Sequence, residues 1–246
     1  MWLPLHFVTI PLGYLAVGVG AYFTRRLSSE TRLRYVRGVM IFLFCCEFIK
    51  QMTVLHAYSP NYLPFHYSST YYLTFSLFAF GRGRVRHFGA CASYIGGALL
   101  LVTMTTNPMS VVGDPAAMFS SFYLTYSYVY HMVVIHLWLV MLMNREYIHR
   151  RFDFLRYASF LALWASVAIP AALLLKWNYA GITKSFIPIL EKLRLAAGQA
   201  AYLAVYFLFI LASAAVAFGI WLLVDRLLKK KNGGSSASPE VPASDE

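Results

Sequence analysis

"FSSFYLTYSYVYHMVVIHLWLVML", residues 119–142, runs for 24 residues without an Asp, Glu, Lys or Arg. As a helix it would reach about 36 Å at ~1.5 Å per residue. That exceeds the ~30 Å hydrocarbon core of a bilayer. Similar apolar stretches recur along most of the chain. We read seven spans, roughly 5–23, 39–58, 63–81, 88–106, 119–143, 157–177 and 201–225. Composition agrees: 59% of the 246 residues are hydrophobic, 13% are charged and the mean hydropathy is +0.59. Soluble domains carry about a quarter charged residues. The expected fold is therefore all-α, a polytopic transmembrane helical bundle forming one domain over 1–228.

The charges read as topology signals. Sixteen of the 21 basic residues fall after the first, third, fifth and seventh spans, from Arg25 to Lys231. Lys176, Lys184, Lys192 and Arg194 lie on the other side, and Lys50 falls within a span. The positive-inside rule then places the N-terminus outside and the C-terminus in the cytoplasm. The net charge of +11 does not mark a nucleic-acid binder, because its basic residues separate apolar spans. The first span lacks a basic n-region and a small-residue cleavage site, so it reads as a retained helix. A bacterial inner membrane suits that feature. "GRGRVRHFG", Gly81–Gly89, has no strand before it and reads as a tight basic turn. Ala92 and Gly96 form a small-xxx-small packing pair. The three cysteines, Cys45, Cys46 and Cys91, read as small hydrophobes. Residues 229–246 are basic, then Gly/Ser/Pro-rich and acidic, which predicts a disordered tail.

Ionisable groups inside a membrane are costly, so each is a functional candidate. The second span carries Glu47, Lys50 and Gln51 on one helix face, with His56 beyond them. These form either an internal ion pair holding helices together or the polar wall of a cavity. The third span opens on "NYLPFHYSSTYYLT", Asn61–Thr74. As a helix, it would put His66, Ser69 and Thr70 on one face and Ser68 about 200° from His66. Ser68 would then need its base from another helix. Alternatively, these hydroxyls back-bond to the preceding turn. His131 falls near the middle of the fifth span, with Ser127 and Tyr128 one turn back. It is either satisfied by one of their hydroxyls or serves in proton transfer. His136 lies about 140° further round, so the two histidines do not share a metal-binding face. Asn178 and Tyr179 mark the outer rim. Counted from the helix ends, these groups gather in the outer half of the bundle.

In order and spacing, "LPFHYSS", Glu47 on the preceding helix, "YVYHMVV" around His131, and Asn178, Tyr179 and Pro188 resemble the YwaF-like membrane proteins. Animal relatives of these form the transmembrane protein 164 family. The likeness covers about residues 40–190. It implies an acyltransferase moving fatty acyl chains between phospholipids, through a Cys nucleophile and a His. Ser68 stands where members carry that Cys, and His131 stands on the His. A Ser hydroxyl is much less acidic than a thiol and needs an adjacent base.

The leading expectation is an integral membrane acyltransferase or lipid hydrolase. Ser68 would attack, His131 would carry the proton, and His66 or Asn178 would stabilise the oxyanion. Glu47, Lys50, Gln51 and Tyr179 would support the site. A transporter or ligand-binding membrane protein, and a non-catalytic assembly factor, are the alternatives. Haem ligation by pairs among His56, His66, His131 and His136 is a further reading, with His56 and His66 shallow for it. No metal or other cofactor is expected. The expected partners are membrane lipids.

Overall fold

A computed structural model describes residues 3–54, 63, 65–118 and 120–232. Among the described residues there are seven α-helices and no strand. They are α1 (His6–Thr24), α2 (Ser29–Val54), α3 (Thr70–Phe80), α4 (Gly83–Thr106), α5 (Phe122–Met143), α6 (Asp153–Leu174) and α7 (Pro188–Asn232). His56, Asn61 and Pro64, and the tail beyond Asn232, fall outside the described residues. Five helices, α1, α4, α5, α6 and α7, are long and apolar enough to cross a membrane.

Three elements depart most from the expected spans, α7 among them, since it begins at Pro188 and not near 201. α2 starts at Ser29, about ten residues early, because its arginine-rich first turns are helical too. α3 has 11 residues, about 16 Å of rise, half a bilayer core. The polar head of the expected third span is not α-helical. His66 is extended, with φ −62° and ψ 143°, and Tyr67–Ser69 form a 3-10 turn. The basic segment Lys229–Lys231 continues α7 as helix to Asn232. Within α7, Gly198 at φ 84° and ψ 173° breaks the helical path.

α4 and α5 form the centre. α4 runs beside α3 and α5, and α1 packs along α5. The turn between α3 and α4 is shorter than expected, only Gly81 and Arg82, because the basic stretch from Gly83, at φ 51°, to Gly89 already forms the first turns of α4. The packing pair reading of α4 also holds, since Ala92 and Gly96 are buried. The closest approach is at Gly89, where an added Cβ would lie 2.3 Å from the Phe78 nitrogen and 2.7 Å from the Thr74 carbonyl oxygen. Those are backbone atoms that cannot swing aside. Gly89→Leu is therefore expected to cost about 3 kcal/mol or more, beyond ordinary overpacking. Thermal unfolding of the purified variant in detergent checks this. Gly97 similarly makes room for the Trp138 indole.

Polarity is distributed the opposite way from a water-soluble domain. His6, Thr74, Ser93, His131, His136 and Asp153 are buried, whereas Leu163 is 68% and Leu174 81% exposed. His136 joins three helices: its Nδ1–H donates to the Val17 carbonyl at 3.0 Å, and its Nε2 accepts from Tyr35 at 2.6 Å. At the basic end, Glu146 bonds Arg32 at 3.0 Å and Arg86 at 3.4 Å. Asp153 gathers His87, Tyr147 and Arg156. Burial pushes the Tyr147 phenol up, so it stays a protonated donor to Asp153.

Candidate functional site

A cavity of about 1180 Å³ lies between α3, α4, α5 and α7. Glu47, Lys50, His66, Ser68 and His131 all line it. These residues come from three separate stretches of chain. α2 brings the ion pair, the extended His66 and its 3-10 turn bring Ser68, and α5 brings His131.

The Glu47 carboxylate takes three donors. Lys50 Nζ lies 2.6 Å and Gln51 Nε2 2.7 Å from Oε1, and the Tyr72 hydroxyl lies 2.9 Å from Oε2. Lys50 also sits 5.7 Å from the Tyr123 ring centre and 5.6 Å from that of Tyr126. The ion pair lies within α2 and joins no second helix by itself; Glu47 reaches α3 through Tyr72, and Glu47 and Lys50 also form cavity wall. Gln51 itself does not line the cavity; it braces Glu47 from behind.

From Glu47 a web of tyrosines leads to Ser68. Tyr72, its own proton given to Glu47, accepts from Tyr126, whose hydroxyl oxygen also lies 3.1 Å from the Leu43 carbonyl. Tyr72 stacks on Tyr130 with ring centres 4.8 Å apart. The Tyr130 hydroxyl donates to the Ser68 carbonyl at 2.7 Å. Tyr130 adjoins His131 in α5, so this bond ties the Ser68 turn to the histidine's helix. Sequence reasoning passed over Tyr72, Tyr126 and Tyr130. The available signal was Tyr126 and Tyr130 at i, i+4 on α5, one helix face. Tyr130→Phe is expected to cost about 1 kcal/mol by removing the bond that ties the half-buried Ser68 turn to α5. A drop in melting temperature with retained helicity checks it.

His131 is 7% exposed. Its Nδ1 lies 2.6 Å from the Ser127 backbone carbonyl, not from a Ser or Tyr hydroxyl. A carbonyl only accepts, so Nδ1 carries the proton and Nε2 is the ring's open acceptor. Among the described residues nothing bonds Nε2. The Ser127 carbonyl thus holds the tautomer that a general base requires. Thr70 does back-bond, to the Tyr67 carbonyl at 2.7 Å. Ser68 and Ser69 have no side-chain partner among the described residues. Because residues 66–69 are not α-helical, the expected 200° separation of His66 and Ser68 does not apply, and both face the same cavity. No hydrogen bond joins Ser68 to His131 among the described residues.

Asn178 and Tyr179 stand apart from this cavity lining. Asn178 staples its own loop: Oδ1 accepts from the Thr183 and Lys184 amides, each at 3.0 Å, and Nδ2 donates to the Lys184 carbonyl at 2.8 Å. Its amide is spent on the loop and does not point at Ser68. Tyr179 is fully buried, with its ring edge-on to His66 at 5.2 Å. It supports His66 from outside the cavity. The loop roofs the site through Ala180, Ser185 and Phe186, and α7 holds it down. Tyr202 donates to the Gly181 carbonyl, Tyr206 to that of Ala180, and Gln199 to that of Ile182.

Below Ser68 and His131 the cavity becomes apolar. Leu99, Leu101, Phe209, Ile210 and Val216 form its walls. No three His, Cys, Asp or Glu side chains among the described residues are grouped to hold a metal ion. In comparisons with known proteins, no family model, no curated protein and no solved structure matches this chain.

Proposed function

We propose that this chain is an integral membrane acyltransferase or lipid hydrolase acting on phospholipid acyl chains. Seven helices would span the bilayer, α3 completed by the segment before it, with the N-terminus outside and the basic end cytoplasmic. A bacterial inner membrane suits this arrangement. One observation carries the reading: Ser68 and a histidine with an open Nε2 line one cavity whose remaining walls are largely apolar. The ordered motifs shared with the YwaF-like proteins favour the same chemistry, with Ser68 in place of their Cys.

In this mechanism Ser68 Oγ attacks the ester carbonyl while His131 Nε2 takes its proton. The ester C–O bond breaks, and the lyso-lipid alkoxide leaves with that proton. The acyl group remains on Ser68. An acceptor hydroxyl, or water, then gives its proton to Nε2 and attacks the acyl carbonyl; the bond to Ser68 Oγ breaks, and Oγ takes that proton back from Nε2, restoring both residues. His66 faces the developing oxyanion from the outer side. Glu47, bonded to Tyr72, anchors the tyrosine web that holds the Ser68 turn.

The test is turnover of a phospholipid with an isotope-labelled acyl chain by the purified protein in vesicles. Labelled fatty acid or a new acylated lipid is expected from wild type and not from Ser68→Ala. A folded wild type with no turnover, but saturable binding, would instead favour a transporter or ligand-binding protein. The length of the cavity, which reaches Arg145 at the basic end, suits that second reading.

A further inference from the structure

The lower limb of the cavity has definite dimensions. Tyr130 marks the level of Ser68, and Leu142, which also lines the cavity, lies twelve residues further down α5. That is about 18 Å of helix. One leaflet of a ~30 Å hydrocarbon core is about 15 Å. The limb is therefore as long as one extended leaflet-length chain.

An aromatic cluster lines its lower end, short of Arg145, which the cavity also reaches. Tyr94 on α4 packs 5.2 Å from Trp221 on α7 and 6.4 Å from Trp138 on α5, ring centre to ring centre. Gly97 gives Trp138 its place against α4. The charged Arg145 follows about two turns beyond Trp138, where a hydrocarbon end gains nothing by going further. The side is open: Val102 on α4 and Phe209 and Val216 on α7 line the cavity yet are each more than half exposed. A lipid could enter between these two helices with its ester level with Ser68.

We infer that the lower limb is a ruler for a single acyl chain, with Tyr94, Trp138 and Trp221 setting the longest chain accepted. The inference rests on the proposed lipid chemistry for its biological meaning, but its test does not require turnover. The probe is a phosphatidylethanolamine whose palmitoyl chain ends in a diazirine, in vesicles holding the full-length Ser68→Ala protein. After irradiation, adducts are mapped by peptide mass spectrometry. Adducts are expected at Tyr94, Trp221 and their neighbours. In Ala217→Trp, which fills the limb, they should fall about tenfold, as overfilling an apolar site excludes its occupant. In Trp221→Ala, which opens the aromatic cluster, they should shift toward Arg145.

Adducts confined to outward residues such as Leu163 and Val167, and unchanged in both variants, would overturn the ruler. Adducts at the aromatic cluster with no turnover in wild type would uphold the chain site while overturning the acyl-transfer reading.

Discussion

Asp153→Ala is expected to lower the stability of the bundle by about 3 kcal/mol, because the Tyr147 hydroxyl, the His87 ring and the Arg150 amide would each lose their acceptor. The side chain has no solvent exposure. It accepts from His87 Nε2 at 2.8 Å, the Tyr147 hydroxyl at 2.8 Å, the Arg150 amide at 2.8 Å and Arg156 at 2.7 Å. These come from α4, the α5–α6 loop and α6, so one carboxylate ties three parts of the basic end. Arg156→Ala provides the contrast. Its side chain is 40% exposed, and its loss should cost no more than about 1 kcal/mol. Paired melting curves in detergent read both. Near-equal shifts would mean that Asp153 is not the hub.

His131→Ala is expected to slow modification of Ser68 by a fluorophosphonate about 10²–10⁴-fold, the usual contribution of a general base. It should leave the fold largely intact, since the bond from Nδ1 to Ser127 lies within α5. His136→Ala should behave in the opposite way. That histidine bridges α1, α2 and α5 and is absent from the cavity lining. Its loss should cost about 1–3 kcal/mol through unmatched buried groups. The labelling rate at Ser68 should be unchanged. Two histidines five residues apart on one helix would thus separate chemistry from architecture.

The helices were legible in the sequence because a bilayer-length apolar run is a strong signal and arginine clusters punctuate it. Their ends were less so. Arg32, Arg34 and Arg37 mark a membrane boundary in composition, yet the α2 backbone passes through them without a break. The head of the third span looked helical because His66, Ser69 and Thr70 have helical spacing. The chain there is extended and then 3-10, and that local choice puts Ser68 and His66 on the same cavity. Glu47 and Lys50 were legible as a pair from their i, i+3 spacing. Tyr72 and Tyr130 were not, because tyrosines are common throughout this chain and each of these two finds its partner across the bundle. Asp153 and His87, 66 residues apart, met the same limit. Asn178 was overvalued: a polar residue at the rim resembles a site residue until its loop is seen to use every amide atom.

We propose Ser68 as an activated nucleophile inside the cavity. The most direct test is to treat the purified, folded protein with an alkyl fluorophosphonate and locate the adduct by peptide mass spectrometry. One phosphonylated residue, Ser68, is expected, with no adduct in Ser68→Ala. An adduct on Ser69 or elsewhere, or none on the folded wild type, would contradict it.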